Sequence, residues 1–274
     1  MVNSCKSFFA ENRIYGKQEH TEMDMIFQNE PLTFIGRGAA FNPAEGNTAA
    51  YVRENGRLFL IDCGETVFER LMERQILAEV TEVSVALSHL HSDHCGSLGS
   101  LVFYCCFVLH CRAQIVLPLA ETAFVNSVRN LLAQFGIPDA YYECVDASAL
   151  SGFRSFSSFQ YVKTAHDPRL TCFSFVLETK KGGVFYSADT NRTDELISFL
   201  QAHDQIAAIY MEATETDSPG NIHLSLDKLR AALPEKAMEK TRLIHLSSAN
   251  CMQKAKEMGF SIVSVPNANM KILA

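Results

Sequence analysis

Short apolar runs dominate the chain, and the polar positions that interrupt them assign most of its elements. Residues 32–36 (Leu-Thr-Phe-Ile-Gly) read as the first core strand. The runs at 49–52 and 58–61 flank Asn55-Gly56, two positions that tolerate positive φ, and so predict a β-hairpin. Residues 65–79 place Val67, Phe68, Leu71, Met72 and Leu77 at helical spacing among charges, which predicts an amphipathic surface helix. A strand is expected at 83–87, and a helix from Gly96 onward. Within that helix, residues 98–109 are apolar almost all round, so they are expected to be covered on every side, either at the centre of the fold or against another subunit. At about twelve residues the run is too short to span a bilayer.

Beyond it, strands are expected at 113–117 and 141–145, with a helix over 119–135 closed by Gly136 and Pro138. The runs at 159–162, 171–177 and 184–186 read as strands of a second sheet. A helix over 193–202 capped by Thr193, a buried strand at 206–211 and a helix over 224–233 stopped by Pro234 follow. Strands at 243–246 and 260–265 close the sheet around a helix at 249–258. Residues 1–31 lack clear periodicity apart from a short candidate strand at Met23 to Gln28, and read as an extension to one domain spanning 32–274. No internal repeat, low-complexity tract or linker breaks that domain.

Composition narrows the class. With 274 residues and 47% hydrophobic content the chain can bury one large core. A formal net charge of −7 provides no broad basic face, so neither extended nucleic acid nor a membrane surface is an expected partner. The nine cysteines are an odd count, and the first thirty residues lack a basic start followed by an apolar core, so reduced thiols and a cytoplasmic location are expected. Cys105, Cys106 and Cys111 read as small core residues, and Cys95 is not needed as a ligand.

The chemistry concentrates in Ser88-His89-Leu90-His91-Ser92-Asp93-His94-Cys95-Gly96, on a strand-to-helix loop. Three imidazoles and a carboxylate in six positions suit a metal, since burying so many titratable groups without one is expensive. His89 and His91 can turn toward one cation, and Asp93 and His94 toward a second. His166, Asp189 and His245 stand at the ends of expected strands and carry the right chemistry to complete a dinuclear set. His20, His110 and His203 lack such context.

His-x-His-x-Asp-His resembles the signature of the metallo-β-lactamase superfamily, which implies an αβ/βα sandwich: an α/β fold of two mixed sheets flanked by helices. The resemblance implies that His89, His91 and His166 hold one Zn2+, that Asp93, His94 and His245 hold the other, and that Asp189 bridges, with two Zn2+ per chain and Mn2+ as the alternative ion. Tyr210-Met-Glu212-Ala-Thr214 and Asn221-Ile-His223-Leu-Ser225 resemble motifs of ribonuclease Z and its phosphodiesterase relatives. An imidazole held by a carboxylate can touch a phosphate oxygen and protonate a leaving alkoxide, which makes His223 the candidate acid and Glu212 its orienter. Asp93 is the candidate for orienting the attacking hydroxide, and His223 and Ser225 for touching substrate.

Transfer-RNA nucleases of that branch carry a gripping arm between the third His and the bridging Asp, but His166 and Asp189 are only 23 positions apart. Ser247-Ser248-Ala249-Asn250 also stands where those nucleases commonly have a basic residue. Residues 32–41, 60–65, 99–104 and 221–226 are most similar to the anti-Pycsar cyclic-nucleotide phosphodiesterases, from Leu32 to the end of the chain. Ala188 stands where that family often has Gly. The family implies a homodimer that hydrolyses 3′,5′-cyclic mononucleotides, notably cyclic CMP and cyclic UMP, to nucleoside monophosphates. The alternatives are a ribonuclease Z-like enzyme acting on RNA 3′ ends and a non-catalytic protein that sequesters a nucleotide.

Overall fold

The computed structural model describes residues 30–266. Among the described residues twelve strands form two six-stranded sheets in which neighbours follow chain order. The first contains β1 (Thr33–Gly36), β2 (Ala49–Glu54), β3 (Arg57–Ile61), β4 (Glu82–Ala86), β5 (Ala113–Val116) and β6 (Tyr142–Val145). The second contains β7 (Ser158–Thr164), β8 (Cys172–Thr179), β9 (Gly182–Tyr186), β10 (Ile206–Glu212), β11 (Thr241–Ile244) and β12 (Ser261–Ile262). Both sheets are mixed. Each begins with two antiparallel pairings and continues with three parallel ones. The β2–β3 hairpin turns at Asn55 (φ 50°) and Gly56 (φ 76°), the two left-handed positions expected there.

Alternation along the strands sorts side chains into two layers. From β9 and β10, Tyr186, Ala208 and Tyr210 point into the main core, whereas Phe185, Ile209 and Met211 point to the opposite face. Rings join the sheets: Phe59 on β3 meets Phe159 on β7 at 5.1 Å, and Phe34 on β1 meets Tyr210 at 5.0 Å. The outer face of the second sheet is covered by α5 (Asp194–Ala202), α6 (Leu226–Ala232) and α8 (Ala249–Glu257), through Leu196, Phe199, Leu229 and Cys251. The remaining helices are α1 (Val67–Glu73), α2 (Ser92–Cys95), α3 (Leu98–Tyr104), α4 (Thr122–Gln134) and α7 (Glu235–Met238).

Several expectations need correction. The helix expected over 65–79 ends at Glu73, because Gln75 and Glu79 take left-handed backbone and the chain turns there, burying Ile76 and Leu77 without helix. The 98–109 run is helical only to Tyr104, continues as one wide turn over Cys105–Leu109, and is closed by His110 at φ 56°. It is not covered all round, since Phe107 is 59% and Val108 52% exposed. Taken as one stretch, Ser92–Leu109 has the length and composition of a membrane span, but half of it is buried in the fold and it starts within the His/Asp loop. Cys105 is buried, while Cys106 and Cys111 are half-buried rather than core residues. Thr193 precedes α5 without a side-chain capping bond. Ser225 and Ser248 do cap, accepting from Lys228 and Cys251 backbone N–H groups. The last strand covers Ser261–Ile262, shorter than expected. The strand expected at Met23 to Gln28 lies outside the described residues.

Candidate metal centre

The His/Asp loop is held from below by one carboxylate. Asp62, at the end of β3, accepts from the Ser88 backbone N–H at 2.7 Å, the Ser88 hydroxyl at 2.8 Å and His94 Nδ1 at 2.8 Å. Short α2 then packs against residues 62–64, with the Cys63 N–H on the His94 carbonyl. A Cβ at Gly64 would lie 1.9 Å from the Asp93 carbonyl oxygen, so that close approach requires glycine. Asp62, Ala188 and His245 all adopt left-handed backbone, at φ 63°, 47° and 51°. Such strain collects where surrounding structure over-determines a functional geometry.

Three imidazole nitrogens converge at one end of the cluster. His91 Nδ1 lies 3.0 Å from His89 Nε2 and 3.2 Å from His166 Nε2. Their partners fix the tautomers. His166 Nδ1 donates to the Ile222 carbonyl at 2.8 Å. The Ser88 hydroxyl has given its hydrogen to Asp62 and accepts from His89 Nδ1 at 3.0 Å. Nε2 of His91 faces Asp167 at 3.5 Å. Three lone pairs therefore face one another with no proton between them, an arrangement that a cation relieves. Asp189 adds a carboxylate oxygen 3.5 Å from His166 Nε2 and 3.9 Å from His89 Nε2.

The other end mixes imidazole and carboxylate. Asp62 occupies His94 Nδ1, so Nε2 points inward, 3.3 Å from Asp189 Oδ1 and 3.5 Å from Asp93 Oδ2. His245 Nε2 lies 3.1 Å from Asp93 Oδ2 and 3.4 Å from Asp189 Oδ2. His94 Nε2 and Asp189 Oδ1 are buried without hydrogen-bond partners, which fits atoms shaped to coordinate an ion rather than each other. Three sets, His89-His91-His166-Asp189, Asp93-His94-Asp189-His245 and Asp189-Glu212-His223-His245, each keep their donor atoms within 4.8 Å of one another, and in the third the Glu212–His223 hydrogen bond already occupies His223 Nδ1. Nitrogen and carboxylate donors at this number suit a divalent ion at each of the first two sets.

Electrostatics differ between the ends. Burial, then the neighbouring His94, pushes His89 well below the usual histidine range. Burial opposes protonation of His94 too, but Asp189 and Asp62 outweigh it and hold that ring well above the usual range. At His245 burial is likewise outweighed, by Asp189 and by the bonds to Asp93 and Glu212, and its pKa rises to about 10.

Beside the cluster, fully buried Glu212 at the end of β10 accepts from His223 Nδ1 at 2.7 Å and from the Thr190 N–H. His223 Nε2 is thereby left for the cleft, which His223 lines. Burial lowers the pKa of His223, but the hydrogen bond and charge of Glu212 outweigh it and raise the net value. The cleft has a volume of about 420 Å³, and Ala39, Ala40, Phe41 and Ile222 form an apolar wall facing the ligand side chains. Among the described residues neither lysine nor arginine lines it.

The structure thus brings together His89, His91, Asp93, His94, His166, Asp189 and His245, with Glu212 and His223 alongside. It does not bring Ser225 to the cleft: that residue is fully buried and caps α6. Cys95 stays outside the donor sets, its thiol directed at the His91 carbonyl. Sequence reasoning missed the anchoring role of Asp62, whose signal was a carboxylate directly after the apolar run Leu58 to Ile61. It also missed Phe41, 97% exposed at the mouth of the cleft.

Comparison with known proteins agrees with this geometry. The chain is 30% identical over 221 residues to the anti-Pycsar protein Apyc1 of Saccharibacillus brassicae, covering 78% of this chain and 88% of that protein. It is 27% identical over 237 residues to the protein of the same name from Bacillus phage BSP38, with the same coverages. Among solved structures, the metallo-β-lactamase fold protein YhfI of Bacillus subtilis superposes with a TM-score of 0.65 at 20% identity, over 84% of this chain and 94% of that one. The short form of human tRNase Z gives 0.58 at 19% identity, over 85% and 96%. Residues 31–264 match the family model for the anti-Pycsar protein Apyc1, and the chain belongs to that family, on a metallo-β-lactamase fold whose His/Asp cluster is compatible with divalent metal.

Proposed function

We propose that this protein is a dinuclear zinc phosphodiesterase that hydrolyses 3′,5′-cyclic mononucleotides, cyclic CMP and cyclic UMP among them, to nucleoside monophosphates, and so counters cyclic-nucleotide antiphage signalling. The observation that carries the reading is the Glu212–His223 pair opening onto the same cleft as two four-donor sets that share Asp189. His89, His91 and His166 would hold one ion, Asp93, His94 and His245 the other, and Asp189 both. Bound there, two divalent ions would supply Lewis-acid polarisation of the phosphoryl oxygens and water acidic enough to attack at neutral pH.

The remaining work falls to side chains. Asp93 orients the attacking water, accepting its hydrogen. His223, kept protonated by Glu212, delivers a proton from Nε2 to the departing ribose oxygen. Glu212 fixes the ring and its tautomer through Nδ1. The apolar wall suits a nucleobase, and Phe41 offers a stacking face.

A small substrate is favoured over RNA by two features. Among the described residues the lining holds no lysine or arginine, which gives a polyanion no grip there beyond the metal centre. The span between His166 and Asp189 is filled by the β8–β9 hairpin, which leaves no arm there. Among the described residues all cysteines are free thiols, in keeping with a reducing cytoplasm. The exposed Phe107 and Val108, beside Phe103 and Tyr141, would form the face of a homodimer.

The test is to incubate the zinc-loaded protein with a panel of 3′,5′-cyclic nucleotides, a pre-tRNA and a chromogenic phosphodiester. Multiple turnovers of a cyclic nucleotide are expected. Efficient pre-tRNA cleavage with every cyclic nucleotide intact would replace this reading with the ribonuclease one, and tight binding without turnover would replace it with sequestration.

A further inference from the structure

We propose that Tyr51, Arg53 and Arg74 form a second, anion-binding site outside the His/Asp cleft, suited to a phosphate group. Tyr51 and Arg53 stand two residues apart on β2 and so project from the same face of the strand. Arg74 follows α1 directly as its C-terminal cap residue, and Arg53 is tied to the turn beyond it through a 2.5 Å bond from Nη2 to the Ala78 carbonyl. None of the three lines the catalytic cleft.

These side chains share an unusual deficit. Tyr51 is 3% exposed, and its hydroxyl has no hydrogen-bond partner. Nε of Arg53 and both Nε and Nη1 of Arg74 are buried and equally unpartnered. Among the described residues neither arginine makes an ion pair, and Arg70, one turn before Arg74, spends its guanidinium on the carbonyls of Ile35, Ala44 and Glu45. Glu73 acts on Arg74 only through space. Four buried donor atoms therefore lack acceptors, and the two half-buried guanidinium groups that carry three of them have no ion-paired carboxylate among the described residues.

Buried donors are normally satisfied, and buried charge normally paired. Water is a poor solution, because it brings no charge and its own hydrogens would need acceptors here. A metal cation is excluded by sign. An acceptor-only anion with several oxygens meets every requirement: guanidinium edges bind phosphate in a fork, and a tyrosine hydroxyl completes the set. The electrostatics agree. Burial, then Arg70, lowers the pKa of Arg74, and burial raises that of Tyr51 against the pull of both arginines. The phosphate could be inorganic or carried on a nucleoside, and the site stands independently of the reaction proposed above.

The test measures thermal unfolding of the full chain in chloride and in graded inorganic phosphate at matched ionic strength, for wild type, Arg74→Gln and Tyr51→Phe. A parallel series uses a nucleoside 5′-monophosphate. Any effect of phosphate through the metal cleft is common to all three proteins, so the differences report this site. Wild type should show a saturable rise in Tm, and each variant should need about tenfold more anion for half the effect, the cost of losing one charge-assisted bond. Arg74→Gln should also unfold above wild type in chloride, where its charge is uncompensated, and below it in saturating anion. A response to the nucleotide alone assigns the phosphate to a nucleoside. Identical rises in all three proteins, or no rise with either anion, overturn the proposal, and Tyr51→Phe keeps the test decisive if Arg74→Gln does not fold.

Discussion

The sheet of β1–β6 and the sheet of β7–β12 follow the same order of pairings, two antiparallel and then three parallel, yet they serve the site in opposite ways. The first delivers His89, His91, Asp93 and His94 from one short segment after β4, the last two on α2, fixed by the chain itself and by Asp62. The second delivers one group per strand end: His166 beyond β7, Asp189 beyond β9, Glu212 at the tip of β10 and His245 just past β11. Chemistry at the carboxyl ends of parallel strands is the usual place for a site in such sheets. What differs is what holds it together. Covalent proximity organises the first half, and sheet register organises the second.

Asp189 is where the two contributions meet, so Asp189→Ala should give the largest effect. Both donor sets lose a carboxylate, and elemental analysis of the dialysed protein should find both ions lost, with turnover down by about three orders of magnitude or more, as expected when several kcal/mol of metal-ion catalysis disappear. Retention of two ions would mean that the halves hold metal separately. His223→Ala tests the second half alone. Turnover should fall by about two to four orders of magnitude, the usual range for a lost general acid, while metal content stays at the wild-type value. A matching loss of metal would make His223 a ligand instead.

Asp62→Asn addresses the first half. It keeps the shape but leaves His94 Nδ1 without its anionic partner, and metal affinity should weaken by about ten- to a hundredfold, with the deficit expected at the proposed Asp93, His94 and His245 set. Competition with a chromogenic chelator measures this, and unchanged affinity would assign Asp62 to the Ser88 backbone alone.

The smallest effect belongs to the outer layer of the second half, where His203 Nε2 meets Glu178 at 2.6 Å and Nδ1 meets the Phe199 carbonyl. Burial pulls the His203 pKa down, but these two partners outweigh it and the net value is raised. Its stabilisation is therefore complete below the unfolded value of about 6.5 and fades as pH rises through the higher folded value. His203→Gln should lower stability by at most about 1 kcal/mol at low pH and by less in alkali, since Glu178 is partly exposed. Thermal melts of both proteins between about pH 5 and about pH 9 check it, and a gap that widens with pH would contradict the assigned sign.

The same contrast governs what the amino-acid order reveals. The Ser88 to Gly96 stretch was readable because its four ligand candidates fall within six positions. His166, Asp189 and His245 each needed a strand to be placed first, from the apolar runs at 159–162, 184–186 and 243–246, and the family resemblance to join them into one set. Ser225 was misread because a serine after a histidine motif looks the same whether it touches substrate or caps a helix, and only the depth of α6 distinguishes the two. The apolar run at 98–109 promised burial on all sides. Its exposed end follows from the switch to a wide turn before His110, which no periodicity encodes. Asp62 acts across 26 positions on Ser88 and 32 on His94, a partnership visible only once β3 and β4 lie side by side.

The left-handed backbone at Asp62, Ala188 and His245 bears on how this protein can drift. An L-residue in that conformation costs about 1–2 kcal/mol, and glycine escapes the penalty. At Asp62 and His245 the escape is closed, because the side chain that pays the strain is the one the centre needs. Ala188 carries nothing but a methyl group, so mutation there to glycine should be tolerated in the direction of greater stability, whereas any branched or bulky replacement should cost twice, by its backbone and by the packing around a residue only 2% exposed. Across a lineage, position 188 should therefore fluctuate between two small residues while the flanking Asp189 stays fixed, an asymmetry between adjacent positions that is written in φ rather than in chemistry.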